Sequence, residues 1–430
     1  MQVIENLKVK EKIYKEKLEN GLVVMVVPKK NVTKKYMIWG TNYGSNDSQF
    51  IVPGEKEITT VPNGVAHFLE HKLFEQENGT NSLDVLTALG VDANAYTTND
   101  HTAYLFQSTD NFYEAMDEFM NYVQHPYFTD ENVEKEKGII GQEIMMYDDY
   151  PDWRVYINTL NAMYYENPIK IDITGTIETV NKIDKEILYK CYNTFYNPSN
   201  MLLVICGDFE PEKIIEEVKK RLIDKKQAGE IKRIYPDEKE EIVQEKIEQK
   251  LSLSEPLYMI GIKDKPNDTA SSEEKVKKHI AIQALLNLIF GRSSILYQRL
   301  YNEGSIYGLP SLDYEFGKTY SHILITGQSN NPEKVFQEFK KEVENFKNNG
   351  INKEDLERIK KMMYGDYVRE YDDVADISRN ILSDYFKGIN SFEYMEKFDQ
   401  IDKGYIKTLL NTVFDENKAV LAVVKGEAKN

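Results

Sequence analysis

The feature that most constrains the fold is a repeated order of segments. The first half reads as strands GLVVMVVP (21–28) and KYMIWGTNYGS (35–45), a helical run opening near Gly64, and a second helix around Leu83 to Leu89. A hairpin, VDANAYTTNDHTAYLFQS (91–108), turns at Asn99-Asp100 and is followed by an amphipathic stripe of Phe112, Ala115, Met116, Phe119, Met120 and Val123. Helices near 129–149, 153–166 and 184–196 lead to a strand, MLLVICGD (201–208). After 246 the pattern restarts with a strand pair (246–263), helices at 272–290 and about 293–303, and the strands LPSLDYEF and SHILITGQ. Helices at 331–348 and 353–374 come before a last strand, KAVLAVVKG (418–426). Such a duplication in 430 residues predicts two domains, 1–225 and 246–430, joined by a charged, solvated linker at 226–245.

Charge and cysteine content remove several classes of function. A net charge of −17 argues against nonspecific capture of a phosphate backbone, which relies on clustered Lys and Arg, so no nucleic-acid partner is expected. The first residues lack the apolar run of a signal peptide, and no later segment reads as a membrane span of about 20 apolar residues. A cytoplasmic protein is the expectation. Cys191 and Cys206 have neither disulfide nor zinc-knuckle spacing and read as core residues.

The stretch GVAHFLEHKLFE (64–75) holds two of the six histidines with an acid between them. On a helix His67, Glu70 and His71 project to one side, because residues three and four apart share a face. Two imidazoles one turn apart can reach one zinc ion, and a neighbouring carboxylate can act as a general base, in the inverted HxxEH order. Phe68, Leu69, Leu73 and Phe74 would bury the opposite face. The corresponding helix of the second half, IAIQALLNLIFG (280–291), has no histidine pair, so the halves are chemically unequal.

A catalytic zinc takes three protein ligands, so HFLEH is incomplete alone. The helix VEKEKGIIGQEIMMYDD (133–149) offers Glu136 and Glu143, two turns apart on nearly one stripe. Read locally, these acids describe a solvated face better than a site. Gly138 and Gly141 between them suggest close approach of another backbone.

NYGSND, AHFLEHKLF, NAYTTNDHTAY, EKEKGIIGQEI, TGTIETV, YNPSNMLLVICGD and GRSSILYQRLYNEGSIYG together give a chain that resembles the pitrilysin-type (M16) zinc metallopeptidases over nearly its full length. The resemblance is to their short-chain bacterial and mitochondrial-processing-peptidase-like branch. It implies an α+β fold of two tandem homologous domains, each a mostly antiparallel sheet covered on one face by helices. It implies one Zn2+ held by His67, His71 and Glu143, with Glu70 as general base and Glu136 as a supporting acid. Asn94 and Ala95 match the strand on which relatives align a peptide backbone. Tyr307 matches a substrate-holding Tyr, the alternative being a packed strand residue. Tyr301 stands where relatives have an Arg, with Arg299 two residues earlier. The implied activity is zinc-dependent endopeptidase action on small or unfolded peptides in an enclosed chamber, formed by a homodimer or a heterodimer with an M16-like paralogue. The rival expectations are a non-catalytic assembly subunit of such a complex and a zinc hydrolase of non-peptide substrates.

Overall fold

The computed structural model describes residues 1–226 and 229–426. Its strands are β1 (Gln2–Asn6), β2 (Glu11–Lys17), β3 (Val23–Pro28), β4 (Lys35–Thr41), β5 (Gln49–Ile51), β6 (Thr59–Thr60), β7 (Asp92–Thr97), β8 (Thr102–Ser108) and β9 (Met201–Gly207). The later ones are β10 (Lys232–Arg233), β11 (Lys246–Leu251), β12 (Leu257–Lys263), β13 (Ser311–Phe316), β14 (Ser321–Gln328) and β15 (Ala419–Gly426). The helices of the first half are α1 (Val65–Lys72), α2 (Ser82–Ala88), α3 (Phe112–Gln124), α4 (Asp130–Asp148), α5 (Pro151–Met163), α6 (Ile177–Val180), α7 (Lys185–Phe195) and α8 (Pro211–Arg221). Those of the second are α9 (Ser272–Phe290), α10 (Ile295–Asn302), α11 (Pro332–Asn349), α12 (Lys353–Glu370), α13 (Val374–Phe386), α14 (Glu393–Lys397) and α15 (Lys403–Thr412).

The duplication is written into the sheets. The first has the order β1-β2-β3-β9-β4-β8-β7 and the second β11-β15-β12-β14-β13. Without β1 and β2, the first sheet has the strand order of the second, with the first and last strands paired in parallel and the other neighbours antiparallel. The helix pair α1–α2 lies between β4 and β7, as α9–α10 lies between β12 and β13, with the short strands β5 and β6 added before α1.

The chain forms two compact units that interleave along the sequence, unlike the expected division on either side of 226–245. Unit 1 contains Met1–Ile144, Asp172–Tyr235 and Val368–Phe392; unit 2 contains Met145–Ile171, Pro236–Tyr367 and Glu393–Asn430. In unit 1, alternate residues of the central strands face opposite ways, so both sides of the sheet become cores. Val24, Val26, Trp39 and Phe106 face Phe68, Leu69, Met116, Phe119 and Leu188 of the main helical layer. Met25, Val27, Ile38 and Val204 face Val374, Ile377, Ile381 and Leu382 of α13, which covers the other side. In unit 2, α5 takes the corresponding place, with Val155, Leu160 and Met163 against Met259, Val420 and Ala422.

A glycine seats each of these helices. A Cβ on Gly40 of β4 would lie 2.9 Å from the Leu382 methyls, and one on Gly261 of β12 would lie 2.6 Å from Thr159 Cγ2. The two positions are equivalent: Gly40 pairs with Leu202, the second residue of β9, and Gly261 with Val420, the second residue of β15.

Three local expectations change. Part of the linker is not solvated, since β10 pairs with β5, and Arg233 forms an ion pair with the buried Asp47 at 3.0 Å. The glycines of α4 have no close neighbour: a Cβ on Gly138 or Gly141 would meet nothing within 4 Å among the described residues. The stretch Ser272–Asn302 is long and apolar enough to cross a membrane, but its apolar window is 67% buried inside the protein. That burial is what a core helix requires.

Candidate metal and active site

Helix α1 starts from Gly64 at φ 96°, where a side chain is doubly disfavoured: the backbone is left-handed, and a Cβ would lie 2.5 Å from Thr174 O. This close approach fixes the start of the helix against the TGTIETV segment. Val65, Phe68 and Leu69 then anchor it in the core. His67 and Glu70 are buried and His71 is half-buried on the side turned toward α4.

Glu143 of α4 lies between the two imidazoles. Its Oε1 is 3.6 Å from His67 Nε2, and its Oε2 is 3.5 Å from His71 Nε2. One ligand atom from each of the three residues falls within 4.8 Å of the others. Donors at about 2.0–2.1 Å from a tetrahedral zinc ion are roughly 3.3–3.4 Å apart, so two nitrogens and a carboxylate oxygen at these separations fit a three-ligand zinc site. Glu136 lies one step further out, with Oε1 3.0 Å from His71 Nδ1, and leaves His71 Nε2 to face Glu143. This is the carboxylate–histidine arrangement that orients metal-binding imidazoles. The buried Nδ1 of His67 has no hydrogen-bond partner among the described residues.

The charges reinforce one another. Burial works against the His71 cation, yet the bond to Glu136 and the charges of Glu70, Glu136 and Glu143 raise its pKa above the usual value. Burial likewise opposes ionisation of Glu143 and Glu136, but the histidines, and for Glu136 also Lys72, hold both carboxyls below their usual range. The cluster is therefore electrostatically coupled as a whole.

Two polar groups in contact with the cluster escaped the sequence reading. Thr97, the last residue of β7, donates its hydroxyl to Glu70 Oε2 at 2.6 Å, and Thr102 behind it donates to Tyr43 O at 3.0 Å. The signal was the Thr-Thr pair after NAY, read only as strand and turn. Lys72 is fully buried, with Nζ 2.6 Å from Glu75 Oε2 and 3.4 Å from Glu136 Oε2. Its signal was a lysine where the stripe Val65, Phe68, Leu69 calls for an apolar residue.

Of the expected substrate-binding residues, Asn94 and Ala95 lie on β7, the edge strand of its sheet. Asn94 Oδ1 accepts from Ala95 N at 2.8 Å, so the side chain caps a backbone donor of this open edge. Tyr307 is in unit 2, 45% exposed and outside any strand, which corrects the packed-strand alternative. Arg299 is engaged with Glu338 at 2.6 Å, and Tyr301 is exposed.

The site thus joins an inverted HxxEH helix to a distant Glu on a duplicated α+β fold. The chain belongs to peptidase family M16. Residues 55–177 match the profile described as insulinase (peptidase family M16), and residues 182–363 match that of the peptidase M16 inactive domain. An uncharacterized zinc protease of Bacillus subtilis, YmfH, is 38% identical over 400 residues, which is 93% of either chain. The crystal structure of an M16-like peptidase from Alicyclobacillus acidocaldarius superposes with a TM-score of 0.92 at 32% identity, covering 97% of this chain and 99% of that one. A protein of Arabidopsis thaliana described as a mitochondrial-processing peptidase subunit beta is 28% identical over 179 residues, covering 40% of this chain and 33% of that protein.

Proposed function

We propose that this protein is a zinc-dependent endopeptidase that cleaves small or unfolded peptides in the cytoplasm. The observation that carries the reading is the convergence of His67, His71 and Glu143 on one point, with Glu70 on the same helix face and the open edge of β7 leading to Thr97. Zinc held by these three residues would polarise the scissile carbonyl and make water more acidic. Glu70 takes the proton of the attacking water and passes it to the leaving amine nitrogen. Thr97 occupies Glu70 Oε2, which leaves Oε1 for that proton.

The substrate backbone pairs with β7 as an added strand, displacing the Asn94 amide from Ala95 N. Pairing through backbone atoms tolerates varied side chains but requires an extended, unfolded segment. The chamber is completed by a second two-domain chain, either another copy or an M16-like paralogue.

Glu70→Gln tests the assignment. The variant should retain zinc and lose peptide cleavage by about 10²–10⁴-fold, the usual contribution of a positioned general base. Cleavage of a mixed peptide set at the wild-type rate, followed by mass spectrometry, would sink it.

A further inference from the structure

Lys72 is the least expected residue of α1. The helix buries Val65, Phe68 and Leu69 at spacings of i, i+3 and i+4, and the next position of that stripe, i+7, holds a lysine with no exposed surface. An unpaired ammonium in such a place costs several kcal/mol, and even a paired one often gives no gain over an apolar side chain of similar size. A leucine or methionine there would serve packing at least as well.

The partners of Lys72 indicate what an apolar side chain could not do. Its Nζ lies 2.6 Å from Glu75 Oε2, a carboxylate three residues along the chain, and 3.4 Å from Glu136 Oε2, on a different helix. The other oxygen of Glu136 is the one 3.0 Å from His71 Nδ1. The carboxylate of Glu136, itself buried, thus spans an ammonium on one side and an imidazole on the other. With Oε2 drawn to Lys72, Oε1 can only present itself to His71. Lys72 also ends α1, where the carbonyl end of the helix favours a cation.

We propose that Lys72 is a positioning residue for the metal site: by holding Glu136 in one orientation it fixes the His71 ring with Nε2 facing the zinc position. The inference rests on the zinc reading of His67, His71 and Glu143, and goes beyond it in giving the non-ligand Lys72 control over one ligand. The effect falls on His71 in particular, because His67 Nδ1 has no corresponding partner among the described residues. Charge alone predicts the opposite outcome. Removing a nearby positive group should strengthen the hold on a divalent cation, whereas loosening an orienting partner weakens it, typically 10–100-fold.

The test is zinc affinity, measured on the full chain by competition with a chromophoric chelator, with circular dichroism as the check on folding. Lys72→Met should weaken zinc binding about 10–100-fold, as Glu136→Gln should. Lys72→Met/Glu136→Gln should bind no more weakly than Glu136→Gln alone, because Lys72 acts through Glu136. Unchanged or tighter binding in Lys72→Met overturns the inference, as does an equal further loss in the Glu136→Gln background. If Lys72→Met, with its buried unpaired carboxylate, does not fold, Lys72→Gln replaces it; a loss of several-fold supports the inference and wild-type affinity overturns it. The peptidase reading fails separately, on cleavage: a wild-type chain that binds zinc and cuts no peptide removes that reading and leaves the affinity comparison standing.

Discussion

Helices α1 and α9 occupy matching places in the chain order, between the strand paired with β9 or β15 and the edge hairpin of the same sheet, yet they are built to opposite ends. Helix α9 buries Val276, Ile280, Ala281, Leu285, Leu288 and Ile289, an apolar set that serves only the core. Helix α1 buries two apolar turns together with His67, Glu70 and Lys72. The comparison extends to the hairpins. Thr97 closes β7 opposite Thr102, and Phe316 closes β13 opposite Ser321, so the position that supplies a hydroxyl to Glu70 in unit 1 holds a phenyl ring in unit 2. One framework thus carries a polar site and an apolar counterpart, and the difference lies in a few side chains, not in the strand order.

The two seating glycines offer the largest effect. Gly261→Ala should destabilise the protein by about 2–3 kcal/mol in urea unfolding, because the new methyl meets the β-branched Thr159 and the backbone-proximal Val420. Gly40→Ala meets only the ends of Leu382 and Phe386, which can shift, and should cost about 1 kcal/mol. Equal costs would show that the two helices are not seated as differently as their neighbours imply.

The next effect compares buried histidines. In unit 2, His322 is satisfied at both nitrogens, by Tyr164 OH at 2.9 Å and Glu315 Oε2 at 3.2 Å. In unit 1, burial and the charge of Lys387 push the His101 pKa down to about 3 from 6.5, and its Nε2 has no partner among the described residues. Above pH 6.5 this imidazole is neutral whether the chain is folded or not. As the pH falls toward 3 the unfolded chain gains a proton that the folded chain refuses, so stability is lost. Between pH 7 and 5 the loss from this residue should be about 2 kcal/mol by the same linkage. A His101→Gln chain should show that much less acid sensitivity by chemical denaturation, and an unchanged slope would clear His101 of the effect.

The last effect falls on the hydroxyl that separates the hairpins. Thr97→Val should lower kcat about tenfold, or about 1.4 kcal/mol, with zinc content and KM unchanged, and Thr97→Ser should restore most of it. A matching loss of zinc would instead make Thr97 part of the metal site's scaffold.

Much of this was legible in the residues. The strand and helix order shows in the β-branched runs and the Phe112 to Val123 stripe, and HFLEH shows its shared face by spacing alone. Glu143 needed the resemblance, because an acid on a helix looks the same whether it faces solvent or a cluster. The partners of α5 and α13 could not be read, since an apolar face says that a helix is buried and not which sheet buries it. Arg233 looked like one more charge in a charged run, and only its pairing with Asp47 made it structural. Gly138 and Gly141 read as a close approach, but among the described residues nothing lies within 4 Å of a Cβ built on either.

The place of α13 also sets a timetable. The central strand β9 ends at residue 207, but the helix that covers the second face of its sheet begins only at residue 374. At the usual 5–20 residues per second, roughly 8 to 35 seconds of synthesis separate the two. During that interval Met25, Val27, Ile38 and Val204 have no covering helix of their own, and a nascent chain carries an apolar sheet face that invites aggregation or a chaperone. A fragment cut near residue 225 would keep that face uncovered, because the residues that pack on it, Val374 to Phe392, come later in the chain.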